Sequence, residues 1–197
     1  MGNKEIQIQR MKGYFLDAAK EILAEEGVKK ISVRKVGDRA GYSYATIYNY
    51  FKDLNELLIY CLADMLEDAY RELLEEKEEG LDPRDQLIRY GERYFLYFSE
   101  NPVLFQLLFV EDLGATPEEV TAKMSDMPSV GHLLMECISA CAKIGYIRND
   151  EVELLAELLV ASIHGKLLFY LKRRSLEPQD VILGKIRSEI QYLIGSM

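Results

Sequence analysis

The chain has 197 residues, 49% hydrophobic and 29% charged, which is ordinary for one large domain or a small domain joined to a bigger one. No unbroken apolar run approaches the roughly 18 residues that cross a bilayer, MGNKEIQIQR has no apolar leader core, and three cysteines do not make a disulfide framework; the expectation is a cytoplasmic protein with reduced thiols. The net charge of -9 is uneven, +3 over residues 1–55 and -12 over 56–197. An acidic body with a mildly basic head steers an anionic partner to the head alone.

Apolar spacing predicts helices throughout, with no alternating strand pattern and no long repeat, so the fold class is all-α. The first helix runs from about Ile6 to Glu26 on a Met11, Phe15, Ala18, Ile22 stripe, and Gly27 stops it. Ser32 caps a second helix to Ala40, which Gly41 closes. Ser43 caps a third, about Tyr44 to Phe51. Asp53 with Glu56 has capping-box spacing and opens a long fourth helix with Leu57, Leu58, Cys61, Leu62, Met65 and Leu66 on one stripe. Asp82-Pro83 starts a fifth helix, apolar on several faces and therefore buried. Asn101-Pro102 breaks it, Thr116-Pro117 repeats the cap-then-proline signal, and Pro128-Ser129 starts a helix that Gly145 ends. Asp150 caps a long helix to about Arg173, and Pro178 opens the last, to about Leu193.

The second and third segments, separated by Gly41, Tyr42 and Ser43, have helix-turn-helix spacing, in which the second helix of the pair enters the DNA major groove. Ala18-Ala19, Gly27, Ser32, Val36, Ala40-Gly41, Ser43, Thr46, Ile47, Tyr48, Tyr50, Phe51 and Glu56-Leu57-Leu58 together make the sequence resemble the TetR (TetR/AcrR) family of bacterial and archaeal transcriptional regulators, in register over residues 8 to 60. The resemblance implies a three-helix DNA-binding head, residues 1–53, joined to a larger helical ligand-binding and dimerisation domain, residues 54–197. It places Arg34, Tyr44, Ala45 and Asn49 where bases are read, and Thr46, Tyr48, Tyr50 and Lys52 where phosphates are met. Two positions depart from the pattern: Leu54 stands where a phosphate-contacting Lys is common, and Gly37 stands where Ala is.

The residues themselves divide the third helix in the same way. At about 100° per residue, Ile47 and Phe51 share one face and turn inward. Ala45, Thr46 and Asn49 lie opposite, with Tyr48 and Tyr50 beside them. Asn pairs with adenine and a small apolar group meets the thymine methyl, while tyrosine hydroxyls donate to phosphate without carrying charge. Tyr42, in the turn, is read as packing.

One such unit reads few bases, so a homodimer on a palindromic operator is expected. Its interface is assigned to the last two helices, with Leu155, Leu158, Leu159, Ser162, Gly165, Ile186, Ile190 and Leu193; the same residues also suit intrachain packing. A ligand pocket for a small, lipophilic effector is assigned to Tyr90, Tyr94, Phe98, Phe105, Phe109, Met124, Met127 and Met135, with His132 and His164 as polar handles; plain core is the competing reading of aromatics at helical spacing. No metal, cofactor or catalytic centre is assigned: Cys137 and Cys141 read as core rather than as zinc ligands with His132 and Glu136, and none of the common nucleophile, zinc or phosphate-loop motifs is present. The expected function is ligand-responsive regulation of transcription, most simply repression. The alternative is a helical small-molecule binding protein whose DNA-binding head is weak or lost.

Overall fold

The computed structural model describes residues 2–123 and 129–195. Among the described residues ten α-helices run in chain order: α1 Asn3–Glu26, α2 Val33–Ala40, α3 Tyr44–Ile47, α4 Leu54–Leu74, α5 Pro83–Glu100, α6 Pro102–Phe109, α7 Pro117–Thr121, α8 Val130–Lys143, α9 Val152–Leu171 and α10 Gln179–Leu193. No strand occurs among the described residues. Packing divides the chain into two units, Met1–Glu67 with Val103–Met127, and Asp68–Pro102 with Pro128–Met197.

In the first unit, α1, α2, α3 and the start of α4 close on Phe15, Ala19, Ile22, Leu23, Val36, Ile47, Phe51, Leu57 and Cys61, all buried. Burying each of the larger side chains contributes about 1.5–3 kcal/mol. Ser32 caps α2 by accepting from the Lys35 amide at 3.3 Å, and Gly41 ends it in the left-handed region at φ 77°, as the sequence implies. Arg39 forks onto Glu21 and Glu25 of α1 at 3.1 and 2.8 Å. Lys20 of α1 pairs with Asp64 of α4.

Three elements differ from expectation. The third helix is regular only to Ile47. Tyr48–Tyr50 continue as turn on the i, i+3 bonds Asn49 N–H to Thr46 O, 3.1 Å, and Tyr50 N–H to Ile47 O, 2.9 Å, the tighter geometry common at helix ends. Asp150 is not the cap of α9. It lies in a 3₁₀ turn, Asn149–Glu151, and its carboxylate is held by Arg148 at 3.1 and 3.2 Å. Finally, Asn149–Leu171 reaches a mean hydropathy of 1.6 over an 18-residue window, long and apolar enough to cross a membrane by length and composition. A search for unbroken apolar runs passes over it because Glu153 and Glu157 interrupt the run.

In the second unit α5 is the central helix, touched by α8, α9 and α10. Leu87, Tyr90, Tyr94, Phe95 and Phe98 are buried around it with Leu133, Ile138, Ile163, Leu167, Ile186 and Ile190. Phe95 meets the Tyr170 ring edge-on at 5.5 Å. Asp82 caps α5 through the Arg84 amide at 2.9 Å and also accepts from the Tyr146 hydroxyl at 2.6 Å, which fixes the loop after α8 to the start of α5.

Gly37 has a use that helix propensity does not predict. A Cβ there would stand 2.9 Å from both Cα and N of Tyr44 and 3.0 Å from the Tyr42 carbonyl. These are backbone atoms, which cannot swing aside. Alanine gains about 0.5–1 kcal/mol of helix propensity, but forcing α2 from α3 costs about 1–3 kcal/mol. Gly37→Ala is therefore expected to lower the urea midpoint of unfolding; an unchanged or raised midpoint would show that the two helices are free to part.

Candidate functional site

The turn between α2 and α3 presents one continuous outer surface. Tyr44 and Tyr48 are 57% and 53% exposed, with Ala45 and Asn49 exposed between them, while Ile47 and Phe51 are 1% exposed beneath. Arg34 on α2 and Lys52 after α3 are also exposed. Two of the assigned side chains are partly occupied. The Thr46 hydroxyl lies 3.0 Å from that of Ser43, and Tyr50 is half-buried with its ring 5.9 Å from Phe15. Tyr42 rests on Tyr14 and Phe15 at 6.3 and 5.6 Å, as a packing residue does. The cations of α2 other than Arg34 are engaged inside the unit, Lys35 on Glu26 and Arg39 on α1.

The sequence reading passed over Lys29 and Lys30. They are exposed on the 3₁₀ turn, Val28–Lys30, just before the Ser32 cap. Two consecutive lysines before a capping serine were the available signal. This surface is thus hydrogen-bonding and aromatic at its centre and cationic at its margin.

The second unit contains an apolar cavity of about 280 Å³ bounded by α5, α8, α9 and α10. Leu87 and Gly91 line it from α5, Gly131, Leu134, Met135 and Ile138 from α8, Ala156, Leu159, Val160 and Ile163 from α9, and Ile190 from α10; Glu157 stands on its α9 edge. Gly131 and Ala156 are small and leave part of the wall unfilled, whereas at Gly91 a Cβ would meet Ile190 at 3.0 Å, so that glycine lets α10 approach α5. Of the residues assigned to a pocket from the sequence, Met135 lines this cavity. Tyr90, Tyr94 and Phe98 are buried core instead. Tyr94 donates to or accepts from His164 Nε2 at 2.7 Å, and burial pushes the Tyr94 hydroxyl well above its ordinary range. Phe105 and Phe109 belong to the first unit, their rings 5.0 Å apart. His132 is exposed and 3.3 Å from Glu136. Met124 and Met127 lie outside the described residues. Cys137 and Cys141 are buried, and burial raises their thiols to about 11 and about 12, which keeps them protonated and unreactive.

Residues 15–61 match the family described as bacterial regulatory proteins, tetR family. Over this segment the chain is similar to the DNA-binding region of that family. An HTH-type transcriptional regulator of Haemophilus influenzae is 24% identical over 143 residues, covering 70% of this chain and 68% of that protein. The fatty acid degradation regulator FadR of Bacillus halodurans has the same fold at a TM-score of 0.71 and 18% identity, over 100% of this chain and 97% of the other. FadR of Bacillus subtilis, solved in complex with stearoyl-CoA, superposes at 0.69 with 18% identity, over 93% and 98%.

The residues assigned to self-association fall into two groups. Leu155, Leu159, Ile186 and Ile190 are buried in the unit's own core, because they face α5 and α8. Leu158 is 47% exposed, and Ser162, Gly165 and Leu193 are half-buried. The open face of α9 is the series Leu154, Leu158, Ala161, Gly165 and Leu168, spaced alternately four and three residues. Tyr192 of α10 is exposed beside a groove lined by Leu158, Ser162, Ser188, Glu189 and Leu193. Lys166 crosses between the two helices, donating to Ser162 at 2.6 Å and to Glu189 at 2.7 Å.

His164 supplies a pH test. Burial lowers its pKa below the ordinary 6.5, so the folded protein holds the imidazole neutral more strongly than the unfolded chain does. That contribution is complete above about pH 6.5 and is lost as pH falls through the lower folded value. Stability measured in urea should therefore fall below pH 6.5, and His164→Gln should flatten that part of the profile; a variant with the wild-type slope would exclude His164 as its source.

Proposed function

We propose that the protein is a repressor that binds a palindromic operator as a homodimer and is released by a small lipophilic effector. The observation that carries the DNA half is the exposed Tyr44, Ala45, Tyr48, Asn49 surface over buried Ile47 and Phe51. In this reading Asn49 and Ala45 face bases, and Arg34 and Tyr44 join them at the groove edge. Tyr48 donates to phosphate, Tyr50 and Thr46 contribute with what their internal contacts leave free, and Lys52, Lys29 and Lys30 supply the charge. The functional division at residues 53 and 54 follows from it: residues 1–53 hold every one of these groups.

The effector half rests on the apolar cavity and on the lipophilic ligand named for one solved relative, stearoyl-CoA. A ligand filling that cavity favours a dimer whose two heads no longer match the half-site spacing, and occupancy of the operator falls. Dimerisation is assigned to the open face of α9 with Tyr192 of α10. Leucines at four- and three-residue spacing on both sides of Ala161 and Gly165 let two copies of α9 approach closely, and they give the apolar helix Asn149–Leu171 a protein partner rather than a lipid one. The protein is then a cytoplasmic regulator, not an enzyme.

Binding to the DNA flanking its own gene tests the reading. Tyr48→Phe is expected to weaken every site on the order of tenfold, because a hydrogen bond to a charged oxygen is lost. Asn49→Ala is expected to relax sequence choice by about 1–3 kcal/mol at one position. Wild-type protein with no preference over random DNA at moderate salt would instead favour a helical ligand-binding protein whose head has lost this function.

The interface is tested by sedimentation. Leu158→Glu places a charge on the open face without touching the core, and it should convert the dimer to monomer while the far-ultraviolet spectrum stays helical. A truncation of this kind at an interface centre costs about 2 kcal/mol or more. An unshifted dimer would assign self-association elsewhere.

A further inference from the structure

The cavity carries information about the head of its ligand as well as the tail. Its wall is aliphatic apart from Met135 and Glu157, and among the described residues no Lys, Arg or His lines it. Nor does it offer an exposed hydroxyl or amide to receive an oxyanion. Glu157 is the one ionisable residue that borders it; the wall itself is apolar, so the exposed carboxylate stands at the rim, and it has no hydrogen-bond or ion-pair partner among the described residues. The residues around that edge reinforce the sign: Glu153 is exposed one turn earlier on α9, and Glu136 of α8 adjoins Met135 of the wall, with His132 3.3 Å away. The cations of the α9–α10 turn, Lys172, Arg173 and Arg174, are exposed, and none of them lines the cavity. The unit that holds the cavity, residues 68–102 and 128–197, carries a net charge of the same sign, -5.

We propose that the cavity selects a lipophilic ligand with a positively charged head, of which an alkyl ammonium is the simplest form, its chain among Leu87, Leu134, Ile138, Val160 and Ile163 and its ammonium against Glu157. The inference rests on the reading of this cavity as the effector site. It departs from what the stearoyl-CoA complex of a structural relative would lead one to expect, because a carboxylate or phosphate head meets a carboxylate here. The apolar wall supplies affinity for any chain that fits, in proportion to the area it covers. Glu157 supplies the discrimination. An exposed ion pair is worth about 0.2–1 kcal/mol, which sets the preference for a cationic head at up to about fivefold over a neutral one. An anionic head loses a similar factor through repulsion.

Decylamine, decanol and decanoate, all below their micelle concentrations, compare the three heads on one chain length. Near pH 7 the amine is protonated, its ammonium resembling that of lysine at about 10.4, and the carboxylate is ionised. Calorimetric titration of the full chain without DNA is expected to rank decylamine above decanol by up to about fivefold, and decanol above decanoate. Glu157→Gln, a surface change, should bring the three affinities together. Ala156→Leu, which fills the cavity, should weaken all three. Decanoate binding as tightly as decylamine, or a ranking that survives Glu157→Gln, overturns the assignment of the head while leaving the cavity as a binding site. Decylamine binding that survives Ala156→Leu places the amine elsewhere and overturns it as well. If no chain binds the wild type, the cavity is not the effector site, and both readings fall together.

Discussion

The exposed surface of the α2–α3 turn, proposed to contact DNA, depends on a backbone-to-backbone approach. Gly37 of α2 comes so close to Tyr44 of α3 that no side chain fits between them. That contact fixes the angle at which the Tyr44–Phe51 segment leaves the turn, and with it which residues face outward. Gly41 in the left-handed region turns the chain back. Ile47 and Phe51 then enter the core beside Phe15 and Val36, and Tyr44, Tyr48 and Asn49 are left outside. The position that looks like a lapse in helix propensity is therefore the one that lets the two helices dock.

Much of the head was legible in the sequence because its signals are positive ones. A capping serine, a closing glycine, two inward apolar residues and a family pattern all point to the same geometry. The limits were local. The third helix tightens after Ile47, which periodicity does not register, and Thr46 and Tyr50 turned out to be partly occupied by Ser43 and Phe15. The helical body with its buried fifth helix is legible in the periodicity, whereas the cavity is lined by other residues than the aromatics that the pattern singles out. Tyr90, Tyr94 and Phe98 are large, so they fill space and become core. The cavity is bordered by Gly131 and Ala156, where volume is missing, and an absence of volume leaves no periodic mark. The same limit separates Leu155 from Leu158: both are apolar residues of one helix, and only the neighbouring helices decide which is covered.

Residues 1–55 and the rest of the chain differ in charge, +3 against -12. The proposed recognition surface has uncharged hydrogen-bonding groups on α3 and exposed cations on either side in the chain, so in the proposed function shape and hydrogen bonding supply the specificity and the cations the salt-dependent affinity. The body is acidic and offers an apolar cavity edged by an unpaired carboxylate. Between the last two helices, Lys166, Ser162 and Glu189 satisfy one another beside an apolar face. At the proposed self-association surface, a polar group of that kind would favour one register over others.

The central claim, that a tyrosine- and asparagine-faced helix held on Gly37 reads a twofold DNA site, is tested most directly by selection of DNA from an unbiased pool with the purified full-length protein. The account predicts enrichment of an inverted repeat whose half-sites lie about one helical turn apart. A pool that emerges with no enriched sequence, while the protein remains folded and dimeric, would contradict it.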